Sequence, residues 1–148
     1  MHTIETLRRS GVAITPDATI KTAAGVMERA GVGALAVVDD GRLIGIVTDR
    51  DLVRRAMAKG LPLDARVDGV MTAPVVTIDV GADVHSVFAL LRANSIRRVP
   101  VVRGHEFIGM ITIDDLLIGL AADLADIAKP IATEADFAHH ESPVPAAF

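Results

Sequence analysis

The sequence predicts a mixed α+β fold made of two copies of one small β-α-β-β-α unit, and three observations carry that prediction. The chain matches itself without a gap at an offset of 64 residues, residues 12–52 lying over 76–116. Both copies carry the same order of strand, helix and turn signals. Hydrophobic residues make up 51% of the 148, enough to fill one domain or two half-size units sharing a core.

The repeat is exact at Val12/Val76, Ile14/Ile78, Val37/Val101, Val38/Val102, Gly45/Gly109, Thr48/Thr112, Asp51/Asp115 and Leu52/Leu116. Each copy opens on a β-branched run, residues 12–14 or 75–78, that suits a strand. An amphipathic helix follows, with Ile20, Ala23, Ala24, Met27 and Ala30 on one face in the first copy, and Val84, Val87, Phe88 and Leu91 in the second. Thr19 and Asp83 stand ahead of them as N-caps. Two apolar runs then flank Asp39-Asp40-Gly41-Arg42, a strong hairpin signal, and the second copy turns at Arg103-Gly104-His105. The closing helix is expected over about 49–59, stopped by Gly60, and over about 114–124 in the second copy. The organisation so predicted is repeat one over 1–60, a linker over 61–69, repeat two over 70–127 and a flexible tail over 128–148, poor in large apolar groups.

Bulk chemistry removes several function classes. A net charge of -4 supplies no field for phosphodiester backbones or anionic lipid, so neither nucleic acid nor membrane is expected as a partner. With four Phe and no Trp or Tyr, the chain has no aromatic platform for single-stranded nucleic acid. Zero cysteines exclude disulfides, thiol nucleophiles and Cys-based zinc sites, a pattern that suits a reducing, cytoplasmic setting. Residues 1–11 lack the apolar core of a signal peptide, and no run of about 18 apolar residues spans a bilayer.

Two segments, Gly45-Ile-Val-Thr48-Asp-Arg-Asp51-Leu and Gly109-Met-Ile-Thr112-Ile-Asp-Asp115-Leu, resemble the closing part of a cystathionine-β-synthase (CBS) domain. With Arg97-Arg98-Val-Pro100-Val-Val102, and over roughly residues 4–124, the whole arrangement is similar to a tandem CBS pair, or Bateman module. The resemblance implies repeats packed through their sheets about a pseudo-twofold axis, leaving two clefts that in many members bind AMP, ADP, ATP or other adenosyl compounds such as S-adenosylmethionine. It also implies a non-catalytic regulatory module that requires no cofactor, forms a homodimer and acts on a separate, unknown protein. A ligand-free interaction or dimerisation module is the alternative.

In that family the ribose signature is Ser or Thr followed three residues later by Asp, which here falls on Thr48 with Asp51 and on Thr112 with Asp115. A carboxylate can accept hydrogen bonds from both ribose hydroxyls, and amides at a helix start can face sugar or phosphate. The same Thr-x-x-Asp spacing is also a capping box, and the two roles can coexist. Arg97 and Arg98 stand where repeat one has Gly33 and Ala34, so the clefts are expected to differ, with tighter anion binding where either Arg faces in. Because consecutive residues entering a strand point to opposite faces, at most one of the two is expected to do so. Arg50 is the candidate cation for the other cleft, or else a solvated first-turn residue. Val12, Ile14, Val76 and Ile78 are candidates to hold the adenine, and equally plain core.

Other signals carry less. Gly31-Val-Gly33-Ala-Leu-Ala36 fits a dinucleotide fingerprint in letters, but it follows a helix and opens a strand, the reverse of the required order. His139-His140-Glu141 offers adjacent metal-ligating side chains that would diverge in a tail. No Ser or Cys stands with an oriented base, so an enzyme is not expected.

Overall fold

The computed structural model describes residues 2–141, with side chains through residue 129. After a short helix α1 (Ile4–Leu7), repeat one comprises β1 (Ala13–Ile14), α2 (Ile20–Ala30), β2 (Ala34–Asp39), β3 (Arg42–Thr48) and α3 (Asp49–Asp51). Repeat two comprises β4 (Ile78–Asp79), α4 (Val84–Asn94), β5 (Arg98–Arg103), β6 (Glu106–Thr112) and α5 (Ile113–Glu141).

Local chemistry sets the boundaries at equivalent places. The Thr19 hydroxyl accepts from the Thr22 amide at 3.1 Å and starts α2, while the Asp83 carboxylate accepts from the Ser86 amide at 2.7 Å and starts α4. That amide holds the Asp83 carboxyl below the usual range. Both helices end on a left-handed residue, Gly31 at φ 65° and Ser95 at φ 53°, which are 64 positions apart. The first hairpin turns through Asp40 and Gly41, both at positive φ, and the second through Gly104 and His105. Each hairpin also slips register at the same point, between Val37 and Val38 and between Val101 and Val102.

The strands form one six-stranded sheet in the order β1-β2-β3-β6-β5-β4. Exchanging the two repeats maps that order onto its own reverse, which is the pseudo-twofold relation. The halves meet in the sheet at a single register pair, Arg42 with Glu106. Each half keeps its own core: Ile20, Ala23, Met27, Leu35, Val37 and Val47 in one, Val87, Leu91, Val99, Val101 and Ile111 in the other. Five of these residues in one core have counterparts in the other 64 positions on.

The halves are locked by the segments that lead into them. The segment ahead of β1 crosses to repeat two, where Ile4 is buried in the second core and the Arg9 and Met110 backbones exchange two hydrogen bonds of 2.9 Å. The segment ahead of β4 crosses to repeat one, where Val67 and Val70 are buried in the first core and Thr72 pairs with Ile46. His2 fastens the first crossing by a 2.7 Å hydrogen bond to Asp123, which holds the Asp123 carboxyl below its ordinary range.

The paired glycines Gly45 and Gly109 explain themselves here. A Cβ on Gly109 would lie 2.5 Å from the Arg9 carbonyl oxygen, and one on Gly45 would run into the Met71 sulfur and approach the Thr72 carbonyl to 3.2 Å. Each crossing segment therefore lies flush on a strand that has no side chain at the crossing.

Three expectations differ from the structure. The 61–69 stretch is no plain linker, since Val67 is fully buried; Leu61, Leu63, Ala65 and Val67 alternate with Pro and charged residues, but Leu61 and Leu63 are exposed and no strand forms. The closing helix of repeat one passes from α3 into a π-helical turn, Leu52–Ala56, and a 3-10 turn, Met57–Lys59, before Gly60 stops it at φ 68°. The last helix does not stop near Leu124 but stays helical through Glu141. A composition without large apolar groups cannot extend a core, yet alanines at 125, 128, 132, 135 and 138 favour helix without one. The remainder of the expected tail, 142–148, and the side chains of His139, His140 and Glu141 lie outside the described residues. Among the described residues no helix is long and apolar enough to cross a membrane.

If the crossing holds the halves together, Gly109→Ala must push the Arg9 backbone off β6. Urea unfolding should then show a loss of about 1–3 kcal/mol, while Gly69→Ala, where a Cβ meets nothing within 4 Å, should stay within about 1 kcal/mol of wild type.

Candidate functional site

The crossings open two clefts, each walled by both repeats. The Thr48 cleft, about 440 Å³, takes Thr48, Asp49, Arg50 and Asp51 from repeat one. Repeat two supplies Val75, Val76 and the Ser95–Arg98 turn. The Thr112 cleft, about 330 Å³, reverses the arrangement: Thr112, Asp114 and Asp115 come from repeat two, and Val12, Gly33 and Ala34 from repeat one. Both volumes fall in the range of small-molecule sites.

Both Thr-Asp pairs are capping boxes. Thr48 Oγ1 accepts from the Asp51 amide and Asp51 Oδ2 accepts from the Thr48 amide, each at 3.0 Å. In repeat two the Asp115 amide donates to Thr112 Oγ1 at 3.1 Å, while Asp115 Oδ2 accepts from the Thr112 amide at 3.1 Å and from its hydroxyl at 2.9 Å. The cap occupies one oxygen and leaves the other. On Asp51 the remaining Oδ1 has Arg55 Nε at 3.7 Å, an ion-pair distance but not a hydrogen bond. On Asp115, Oδ1 already accepts from Arg9 Nε at 2.7 Å. Asp115 is the one charged side chain among the buried described residues, at 6% exposure.

The cations are distributed differently from the sequence expectation. Arg97 and Arg98 both line the Thr48 cleft, rather than one of them pointing away. Alternation applies only inside a strand, and Arg97 precedes β5, whose first residue is Arg98. Arg50 lines the same cleft instead of serving the other one, because each signature faces the opposite repeat's strand entry. Arg98 also lines the Thr112 cleft, at the junction of the two. Gly33 leaves room for this: a Cβ there would stand 3.0 Å from Asp49 Oδ2 and 3.4 Å from Arg98.

Of the four aliphatic candidates, the structure brings Val12 to the Thr112 cleft and Val76 to the Thr48 cleft. All four pack in the cores, Val12 and Ile14 in the first and Val76 and Ile78 in the second; Ile14 and Ile78 lie inside β1 and β4 and reach neither cleft, whereas Val12 and Val76 precede those strands. Sequence reasoning missed Arg9, Ile96 and Pro100. Arg9 stands in a segment with no strand or helix pattern, and the one available signal was the unequal pair Arg9 and Ala73 at the repeat offset.

The comparisons agree with this architecture. The family model for the CBS domain matches twice, over residues 4–58 and 67–122. YlbB of Bacillus subtilis is 37% identical over 121 residues, covering 76% of this chain and 82% of that protein. Hypoxic response protein 1 of Mycobacterium tuberculosis is 31% identical over 119 residues, covering 78% and 83%. The solved structure of CBS domain protein PAE2072 of Pyrobaculum aerophilum, complexed with AMP, superposes with a TM-score of 0.71 at 29% identity, over 82% of this chain and 99% of that one. Two matched segments, one palindromic sheet order and relatives aligned across both halves lead to one statement: the chain belongs to the CBS-domain family, as a tandem pair.

Proposed function

We propose that the chain is a non-catalytic, cytoplasmic regulatory module that binds an adenine nucleotide in the Thr48 cleft. One observation carries the reading: a half-open carboxylate, three arginines and an aliphatic wall converge on one cleft made by both repeats. Asp51 Oδ1 is the acceptor for the ribose hydroxyls. Arg50, Arg97 and Arg98 supply the charge for phosphate, and Arg forks suit phosphate oxygens. Val75, Val76, Ile96 and Pro100 offer the base an apolar slot. The AMP complex of the Pyrobaculum relative supports the ligand class. A ligand touching both repeats favours one relative arrangement of them, and such coupling is typically about 1–3 kcal/mol, enough to change a partner protein's affinity.

Thermal shift against AMP, ADP, ATP, S-adenosylmethionine and NAD tests this. At a ligand concentration a hundredfold above Kd the gain is about 2.7 kcal/mol, or roughly 5–10 °C for a domain of this size. Asp51→Ala should abolish the shift but also removes the acceptor of the Thr48 amide. Asp51→Asn keeps an oxygen for the Thr48 amide and loses the second carboxylate acceptor, so it should fold like wild type and still bind poorly. No shift with any compound at millimolar concentration would contradict the reading.

The last helix favours a second role, self-association. Leu117, Leu120, Leu124 and Ile127 on α5 are each about half exposed or more, at 51%, 47%, 58% and 60%. Their 3- and 4-residue spacing forms a continuous apolar seam suited to pairing with a second copy. Sedimentation velocity should find a dimer for the wild type and a monomer for Leu120→Glu combined with Leu124→Glu. A monomeric wild type at tens of micromolar would set this role aside without touching the ligand reading.

A further inference from the structure

We propose that Arg9 is an internal latch on the Thr112 cleft, so that this chain binds one nucleotide rather than two; the inference rests on the nucleotide reading above. Its anchor is the crossing itself. Two backbone hydrogen bonds of 2.9 Å tie Arg9 to Met110, and Gly109 lets its carbonyl lie flush on β6. From that fixed point the side chain reaches over the cleft and donates Nε to Asp115 Oδ1 at 2.7 Å.

With the Thr112 amide and hydroxyl on Oδ2, the Asp115 carboxylate accepts three hydrogen bonds and stands covered at 6% exposure. Three of the carboxylate's about four lone-pair positions are taken, so a ribose diol, which brings two donors, must displace Arg9 to pair both of them. Asp51 is nearly as buried, at 13% exposure, but no hydrogen bond closes its Oδ1. Its Oδ1 has only Arg55 at 3.7 Å, and the residue 64 positions on from Arg9 is Ala73, which has nothing to donate. Duplication copied the carboxylate to both clefts, and the latch exists in one.

The latch is able to move. Arg9's side chain is 73% exposed although its backbone is held, so the guanidinium can swing to solvent without disturbing the fold. A hydrogen bond to a charged group must be given up when it does, which corresponds to roughly ten- to hundredfold weaker ribose binding at Asp115 than at Asp51. The Thr112 cleft is in this sense a reserve site, closed by the chain itself.

Titration calorimetry of the full chain with AMP, and separately with adenosine, decides the matter. The wild type should take up one AMP. Arg9→Ala, and Arg9→Met as a variant that keeps the aliphatic stem over the strand, should each take up two, the added site also accepting adenosine. Asp51→Asn should remove the wild-type site, and Arg9→Ala with Asp51→Asn should retain one. Two sites of similar affinity in the wild type, or one site in both Arg9 variants, would overturn the latch while leaving nucleotide binding in place. A loss of AMP binding on removing Arg9 would make it a phosphate contact and overturn the latch as well. No binding by the wild type or any variant would overturn both the latch and the nucleotide reading.

Discussion

The structure depends on one constraint: the segment leading into each repeat must cross the other repeat's strand at backbone contact distance. Gly45 and Gly109 permit it, because any Cβ there would occupy the space of Met71 and Thr72 or of Arg9. The hydrophobic anchors Ile4 and Val67 then fill the core of the half to which they do not belong in sequence. Without the crossings, the described strands of the two halves would be joined at the hairpin ends alone, through the Arg42–Glu106 pair and the 3.3 Å hydrogen bond from the Leu43 amide to the His105 carbonyl. With them, each half completes the other, and every cleft is necessarily a joint product of both.

Gene duplication copies backbone logic more faithfully than site chemistry. The caps, the left-handed stops, the hairpin slips and the two capping boxes recur at the same offset. The charge lining the clefts does not. Arg97 and Arg98 replace Gly33 and Ala34, and Arg9 stands opposite Ala73. One cleft thereby gathers three arginines beside a carboxylate whose Oδ1 has no hydrogen bond, whereas the other has that oxygen closed by a neighbour in the same chain. Two sites that would be twins by backbone become opposites by a few side chains.

Much of this was legible before any coordinates. The offset, the helix caps at Thr19 and Asp83 and the Asp40-Gly41 hairpin are local signals, each with its cause inside a few residues, and the structure bears them out. What the sequence hid is relational. Val67 looks like linker because its packing partners are Ala18 and the first core, far from it along the chain. One of Arg97 and Arg98 looks bound to point away because the pair reads as strand, whereas the strand starts only at Arg98. Arg9 had no visible role until Asp115 was found 106 positions away along the chain and 2.7 Å away in space.

The central claim, that one site is assembled from both repeats, is tested most directly by amide chemical-shift mapping during an AMP titration of the isotope-labelled chain. The account predicts that Thr48–Asp51 of repeat one and Val75, Val76 and Ser95–Arg98 of repeat two shift together, along curves that fit a single Kd. Shifts confined to one repeat, or two groups of residues titrating with different constants, would contradict it.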